Sequence, residues 1–336
     1  MNFDRINITD HLKISQIESF LHRNNLSLDM SIIEFIVAYD DNYNIIACGG
    51  VAPNIIKCVA IDKSYRGQCL ALTLITEVIN LAYDLGYSEL FIFTKPEYEQ
   101  LFKQCGFFLI SSAYPNAILL ENSKNRLKEQ CEKWKKLRVD GKKIGSIVMN
   151  ANPFTLGHRY LIEQSLKMCD HLHVFVLQED ASMFSYQDRL ALVKQGVQDL
   201  KNVSVHNSSP YIISKATFPD YFIKDKKILE NTYLEIDLKI FRKFIAPSLG
   251  ITHRFVGTEP ICPVTSEYNK NMFYWLQDAD MDAPPINVIE FERKNYHQKP
   301  ISASLVRSLL QRKSYKELLN YVPSSTFSFL RENMFV

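Results

Sequence analysis

Apolar residues follow two different rhythms along the chain. In the first half, residues 11–24 carry helical spacing, and residues 34–39 and 45–51 alternate around an Asp-Asn-Tyr-Asn turn as the arms of a hairpin do. Residues 55–61 predict a third strand, 70–85 a strongly apolar helix and 89–94 a further strand. A helix over 97–105 and a hairpin over 107–120 complete this half, which reads as mixed α+β. The second half alternates strand and helix. Its strands fall at 145–149, 172–178, 203–206, 253–257 and 286–291, and its helices at 158–169, 186–199, 236–248, 266–277, 303–312 and 315–321. Such alternation predicts an α/β domain with a parallel sheet and crossover helices, whose ligands sit beyond the carboxyl ends of the strands.

Between the halves the composition shifts. Residues 123–143 carry nine Lys or Arg against three acidic residues. The stretch reads as a solvated helix with Leu127, Cys131, Trp134 and Leu137 on its buried stripe, or as a polyanion-binding patch. A domain boundary is expected here, dividing residues 1–138 from 139–336. Over the whole chain, 39 Lys and Arg face 37 Asp and Glu. That balance excludes a protein held to nucleic acid by bulk charge. No stretch is long and apolar enough to span a membrane, and the first residues, MNFDRINITDHLK, show no secretion signal. The seven cysteines are scattered without a C-x-x-C pair, so neither a zinc knuckle nor a disulfide framework is expected. A reduced, soluble, cytoplasmic protein is the simplest reading.

The chemistry concentrates in two places. Strand 144–149 ends in Asn-Ala-Asn-Pro, and a helix opens near His158, so Thr155, Gly157 and His158 meet a strand end and a helix start together. Free N–H groups and the helix dipole suit an anion there. Gly157 gives phosphate room to approach, and His158 adds a donor for charge building on phosphate oxygens. Near the other end, Ser302 or Ser304 caps a helix, and Arg307 follows within five residues with a fork that grips phosphate oxygens in pairs. Each feature alone is also an ordinary helix cap.

The T-x-G-H of Thr155–His158 and the I-S-x-S-x-x-R of Ile301–Arg307 resemble the two signatures of the H-x-G-H nucleotidyltransferase superfamily. The resemblance implies a Rossmann-like, cytidylyltransferase-like domain that attacks the α-phosphate of a nucleoside triphosphate and releases pyrophosphate. Thr155 stands where that pattern has its first histidine, which leaves His158 as the principal side chain. The implied catalytic group is His158, Thr155 and Arg307. Asn152, Pro153, Phe154, Gly157, Gly257, Thr258, Ser302 and Ser304 are implied to bind ATP, which brings Mg²⁺ with it and needs no metal site of the protein's own.

The runs NANPFTLGHRYLIEQ, QEDASMFSYQDRLALVKQG, ISKATFPDYFIKD and VGTEPICPVTSEYN extend a resemblance to the citrate lyase ligase family over nearly the whole chain. It implies an AMP-forming ligase that activates acetate as acetyl-adenylate. The acetyl group then passes to the thiol of the CoA-like prosthetic group on the citrate lyase acyl carrier subunit, activating citrate lyase. Acetate and the thiol come from the resemblance alone. Two other functions fit the nucleotide motifs: adenylylation of a phosphorylated cofactor precursor, and nucleotide sensing or carrier docking without turnover.

The segment VAIDKSYRGQCLALTLITEVINLAYDLGYSELFIFTKPEYEQLFKQCGFFLI resembles the acetyltransferase fold of the GNAT superfamily. Arg66, Gly67, Gln68, Cys69, Leu70 and Ala71 occupy its pyrophosphate-cradling turn, with Cys69 where the pattern has glycine. The turn binds the CoA-like arm, retains acetyl-CoA, or serves as a docking module. Among lesser candidates, Arg189 faces phosphate or pairs with surface carboxylates, and Ser185 opens its helix. Lys215 and Lys224 flank a loop that closes on substrate or is merely solvated. Gly257, Thr258 and Glu259 form a rest for adenine or ribose, or a plain turn. Tyr274 and Trp275 are expected in the core.

Overall fold

The computed structural model describes residues 2–66, 68–178, 182–212, 221–223, 225–258 and 263–334, with the backbone alone at residues 68, 263–266 and 268. The chain falls into two compact units, residues 1–129 with 218–236 and residues 130–217 with 237–336. The first break lies inside helix Arg126–Lys135, within the basic stretch. Leu127 and Trp134 on that helix are buried, but Leu137, expected on the same stripe, is 49% exposed because the helix has ended before it.

In the first unit seven strands form one sheet: β1 (Asn2–Asn7), β2 (Glu34–Tyr39), β3 (Ile45–Ala52), β4 (Ile55–Ile61), β5 (Phe91–Thr94), β6 (Phe108–Ala113) and β7 (Ala117–Glu121). Their order is β1-β2-β3-β4-β5-β7-β6, antiparallel except for the pair β4 and β5. Asp40 shapes the β2–β3 turn, its Oδ1 accepting from the N–H groups of Asn42 and Asn44 at 2.9 and 2.8 Å. Helix Gln68–Asp84 makes the crossover from β4 to β5. These two strands pair only at Ile55 with Phe91 and Ile56 with Ile92, then part into a fork. The strand order and the fork are those expected of the acetyltransferase fold. Behind the sheet, helix His11–Arg23 buries Ile17, Phe20 and Leu21 in a cluster that also holds Tyr221 from far along the sequence.

The second unit carries β8 (Ile144–Met149), β9 (His171–Val176), β10 (Val203–His206), β11 (His253–Gly257) and β12 (Asn287–Phe291). All pair in parallel, in the order β10-β9-β8-β11-β12. The chain winds outward from β8 to β10, then returns to lay β11 on the other side of β8. That reversal opens a crevice at the carboxyl ends of β8 and β11, and the two strands pair only through Gly145 and Ser146. One face of the sheet is apolar, with Ile147, Met149, Leu172, Val174, Val176 and Phe255 in one cluster. The other carries His173 and His206, whose rings meet through Nδ1 and Nε2 at 2.7 Å.

Several elements depart from the sequence pattern. Charged residues hid β1, and the predicted helix 236–248 begins as Lys226–Ile240. A small hairpin, β13 (Asn295–Tyr296) and β14 (Lys299–Pro300), and a last helix, Ser324–Met334, were not anticipated. Phe273–Asp278 winds as a wider π-helical turn, which shifts the buried stripe. Leu276 is buried there, but Tyr274 is 53% exposed rather than in the core, and Trp275 is half-buried under the Lys239 ammonium, which lies 4.5 Å from its ring centre.

Helix Tyr186–Gly196 ends against Phe154 so closely that a Cβ on Gly196 would stand 2.4 Å from that ring. Gly196→Ala is therefore expected to destabilise the second unit by about 1–3 kcal/mol. Urea unfolding followed by far-ultraviolet circular dichroism checks this, and an unchanged midpoint would show that the ring moves aside freely.

Candidate active site

After Met149 the chain turns through residues 150–155 before helix Leu156–Leu166 begins. Thr155 caps that helix: its Oγ1 accepts from the His158 N–H at 3.3 Å. In return His158 Nδ1 accepts from the Thr155 N–H at 3.0 Å, so cap and ring satisfy each other. A backbone N–H only donates, so Nδ1 carries a lone pair and the neutral ring keeps its proton on Nε2. Buried Phe154 stacks on this ring, with centroids 5.8 Å apart and planes 15° apart. Burial, and next the charge of Arg293, pulls the imidazole down to about 4. His158 is thus an uncharged donor through Nε2 at neutral pH.

The second helix start comes close to the first. Ser302 Oγ accepts from the Leu305 N–H at 3.2 Å and caps helix Ala303–Gln311. A Cβ on Gly157 would stand 2.8 Å from the carbonyl oxygen of Ile301. Glycine at this position is what lets the two helix starts share one crevice, a need additional to the room for phosphate read from the sequence.

A cavity of about 360 Å³ opens there. Of the residues expected in the site, Thr155, Gly157, His158, Gly257 and Ser302 line it. Asn152, Pro153, Phe154, Thr258, Ser304 and Arg307 stand outside that lining. Asn152, Pro153 and Phe154 are buried behind it. Arg307 donates through Nη1 to the Asn152 carbonyl at 2.6 Å and through Nη2 to Ser304 Oγ at 3.2 Å, which ties the two motifs to each other.

Arg189 turns inward, into the carbonyls at its own end of the sheet. It is fully buried and donates to the carbonyls of Phe184, Asn150 and Leu177 and to Asn150 Oδ1, so it gathers the carboxyl ends of β8 and β9. Ser185 caps its helix, accepting from the Asp188 N–H at 3.2 Å. Gly67, Lys215, Lys224, Glu259 and Cys262 lie outside the described residues, as does the Gln68 side chain.

The sequence pattern does not single out other polar lining residues, among them Arg254, Asn269, Arg293 and Lys294. Arg293 Nε donates to the Thr258 carbonyl at 2.6 Å. The adjacent Arg-Lys pair directly after a strand, shortly before I-S-x-S, was a usable signal for two of them. A charged residue inside the central strand HRFVG was the signal for a third.

The first unit has its own cavity, about 540 Å³, in the fork of β4 and β5. Ile56, Val59 and Ile92 contribute apolar wall, and Lys63, Arg66 and Lys95 contribute cations. Ala71 also lines it, whereas Cys69 is exposed and stands off the wall. Tyr221 and Phe222 complete the lining. Among the described residues no group of three or more His, Cys, Asp or Glu gathers to hold a metal. No described helix is long and apolar enough to cross a membrane.

A doubly wound parallel sheet with two helix starts and a neutral imidazole at its crevice defines a nucleotidyltransferase-type domain, preceded here by an acetyltransferase fold. A family model described as the citrate lyase ligase C-terminal domain matches residues 144–330. The citrate (pro-3S)-lyase ligase of Haemophilus influenzae is 58% identical over 332 residues, covering 99% of each chain. The chain belongs to the citrate lyase ligase family. Phosphopantetheine adenylyltransferase of Streptococcus gordonii is 25% identical over 162 residues, which is 46% of this chain and 98% of that one. Among solved structures, Escherichia coli ElaA covers 37% of this chain and 100% of its own at 11% identity, with a TM-score of 0.32.

His173 and His206 are also held low by burial, to about 3 and about 4. An imidazole whose folded pKa lies below the ordinary 6.5 takes up its proton mainly in the unfolded chain. The stability of the second unit is therefore complete above about pH 6.5 and falls as pH drops from there toward 4. Urea midpoints across that range are expected to decline, and His206→Asn is expected to flatten the decline. A flat wild-type profile would show that these rings are not held neutral.

Proposed function

We propose that this ligase activates acetate with ATP in its second unit and delivers the acetyl group to the thiol of the CoA-like arm on the citrate lyase acyl carrier subunit, switching citrate lyase on. The observation that carries the reading is the pair of capped helix starts, brought together at Gly157, with His158 held as a neutral donor between them.

Acetate is a poor acyl donor and must be activated. A lone pair on its carboxylate oxygen attacks the α-phosphorus, and the bond from that phosphorus to the bridging oxygen breaks, leaving acetyl-adenylate. Pyrophosphate departs with the electron pair. Charge therefore grows on phosphate oxygens, where the Nε2–H of His158 and the free N–H groups of both helix starts are aimed. Arg293 and Lys294 add positive charge at the same cavity. Glu292, a carboxylate on the wall, would help hold an Mg²⁺ brought in with the triphosphate, which would neutralise part of that charge. In the second half-reaction the thiol loses its proton, sulfur attacks the acetyl carbonyl and AMP leaves.

For the arm we assign the fork of the first unit. Its apolar wall suits an extended chain, and Lys63, Arg66 and Lys95 suit the phosphate end. Arg66 and Ala71, both on the cavity wall, stand on either side of the first residues of the crossover helix, which opens at Gln68. The protein works in the cytoplasm, where its scattered thiols stay reduced.

Acetate-dependent exchange of labelled pyrophosphate into ATP, without carrier protein, tests the first step. Exchange that requires acetate is expected. Exchange that ignores acetate and requires a phosphate ester would mean an adenylyltransferase instead. His158→Ala is expected to slow exchange by about 10²–10³ with the circular dichroism spectrum intact. Lys294→Ala is expected to weaken ATP binding about tenfold, near 1.4 kcal/mol, while leaving AMP within about twofold. Equal losses for both nucleotides, measured by calorimetry, would remove Lys294 from the outer phosphates.

A further inference from the structure

At the inner wall of the second unit's cavity stands a buried cation with an unused donor. Arg254 lies on β11 and is 3% exposed. Its guanidinium carbon sits 4.6 Å from the centre of the Phe241 ring, which orients it by cation–π attraction. Its Nη1 is buried and has no hydrogen-bond partner. The residue beside it in the sheet, Ser146, has spent its hydroxyl on the His253 carbonyl at 3.0 Å. Leaving a guanidinium hydrogen unpaired away from water is costly, and proteins rarely tolerate it outside a binding site.

A second residue of the same cavity wall also holds an unsatisfied atom. Asn269 is 4% exposed, and its Nδ2 donates to the Gly257 carbonyl at 3.1 Å and to Glu290 Oε1 at 2.7 Å. Both partners accept, so the amide cannot be flipped, and Oδ1 is left without a donor. The wall near these two groups is apolar: Val148, Val256 and Met272 all line the cavity.

The composition differs from that of the outer wall. There, two helix starts, His158, Arg293 and Lys294 offer many donors, as a chain of phosphates requires. Arg254 lies three residues before the end of β11, deeper along the strand, where one guanidinium with an unpaired donor stands among apolar side chains. A small monocarboxylate with a short apolar tail matches that arrangement, because its one charge meets one cation and the methyl group meets Val and Met.

We propose that Arg254 anchors the carboxylate of the acid substrate. One oxygen rests on the guanidinium and the other stays free to attack the α-phosphorus, while the tail lies against Val148, Val256 and Met272. The assignment rests on the adenylating reading given above.

The test compares wild type with Arg254→Met and Arg254→Lys in the pyrophosphate exchange assay, varying acetate at saturating ATP, with the ATP-induced rise in Tm as the control. Methionine removes an unpaired buried charge without opening a large void, so the fold is expected to hold. The half-saturating acetate concentration is expected to rise about tenfold to a hundredfold in both variants. The ATP requirement should stay within about twofold, and ATP should still raise Tm. An unchanged acetate requirement in either folded variant, or a parallel loss of ATP, would overturn the assignment. Should the methionine variant fail to fold, the lysine variant decides by the same readings. Absence of acetate-dependent exchange in the wild type would instead overturn the adenylating reading, and this assignment with it.

Discussion

The second unit depends on one close approach, that of Gly157 to the carbonyl of Ile301. Two helices far apart in sequence point their N-termini into one crevice only because no side chain intervenes there. The surrounding structure keeps that approach fixed. Arg307 bonds the turn after β8 from the other helix, and Arg189 holds the same turn from below. Phe154, wedged beside Gly196, sets the plane of the His158 ring. A charge-stabilising site needs its dipoles placed before the charge appears, and each of these contacts places one.

The buried arginines of this unit fall into two kinds. Arg189 and Arg242 have their hydrogens met by backbone carbonyls, Arg242 by those of Pro284, Trp275, Ala279 and Ala283. They act as multivalent staples for loops that would otherwise carry unpaired oxygens. Arg254 is of the other kind, with a donor held in reserve. The neutral histidines follow a related logic. Burial keeps the His158 ring uncharged, and the Thr155 N–H bonded to Nδ1 leaves its proton on Nε2.

Much of this was legible in the sequence because it is local. The alternation of strand and helix, the T-x-G-H turn and the Ser302 cap are set within a few residues, and the structure reproduces them. What stayed hidden depends on register and tertiary satisfaction. Nothing near Arg189 announces that it will meet a carbonyl at each of two strand ends and a third just before its own helix. Nor does the sequence announce that Arg307 will donate to the Asn152 carbonyl, 155 residues before it. Arg254 and Asn269 matter through what they leave unpaired, which no spacing encodes. The exposure of Tyr274 followed from a π-helical turn that breaks the helical period the sequence reading relied on.

The chain's return to the first unit at residues 218–236 has a consequence for its synthesis. Tyr221 and Phe222 pack on the cluster built around Ile17, Phe20 and Phe35. A ribosome must therefore make β8, β9 and β10 before the residues that finish the first unit's core emerge. The unit that comes first in sequence is the one that waits, and it waits with an apolar patch open to whatever nascent chain or chaperone is nearby. A gene cut at the basic joint would fix that unfinished state permanently.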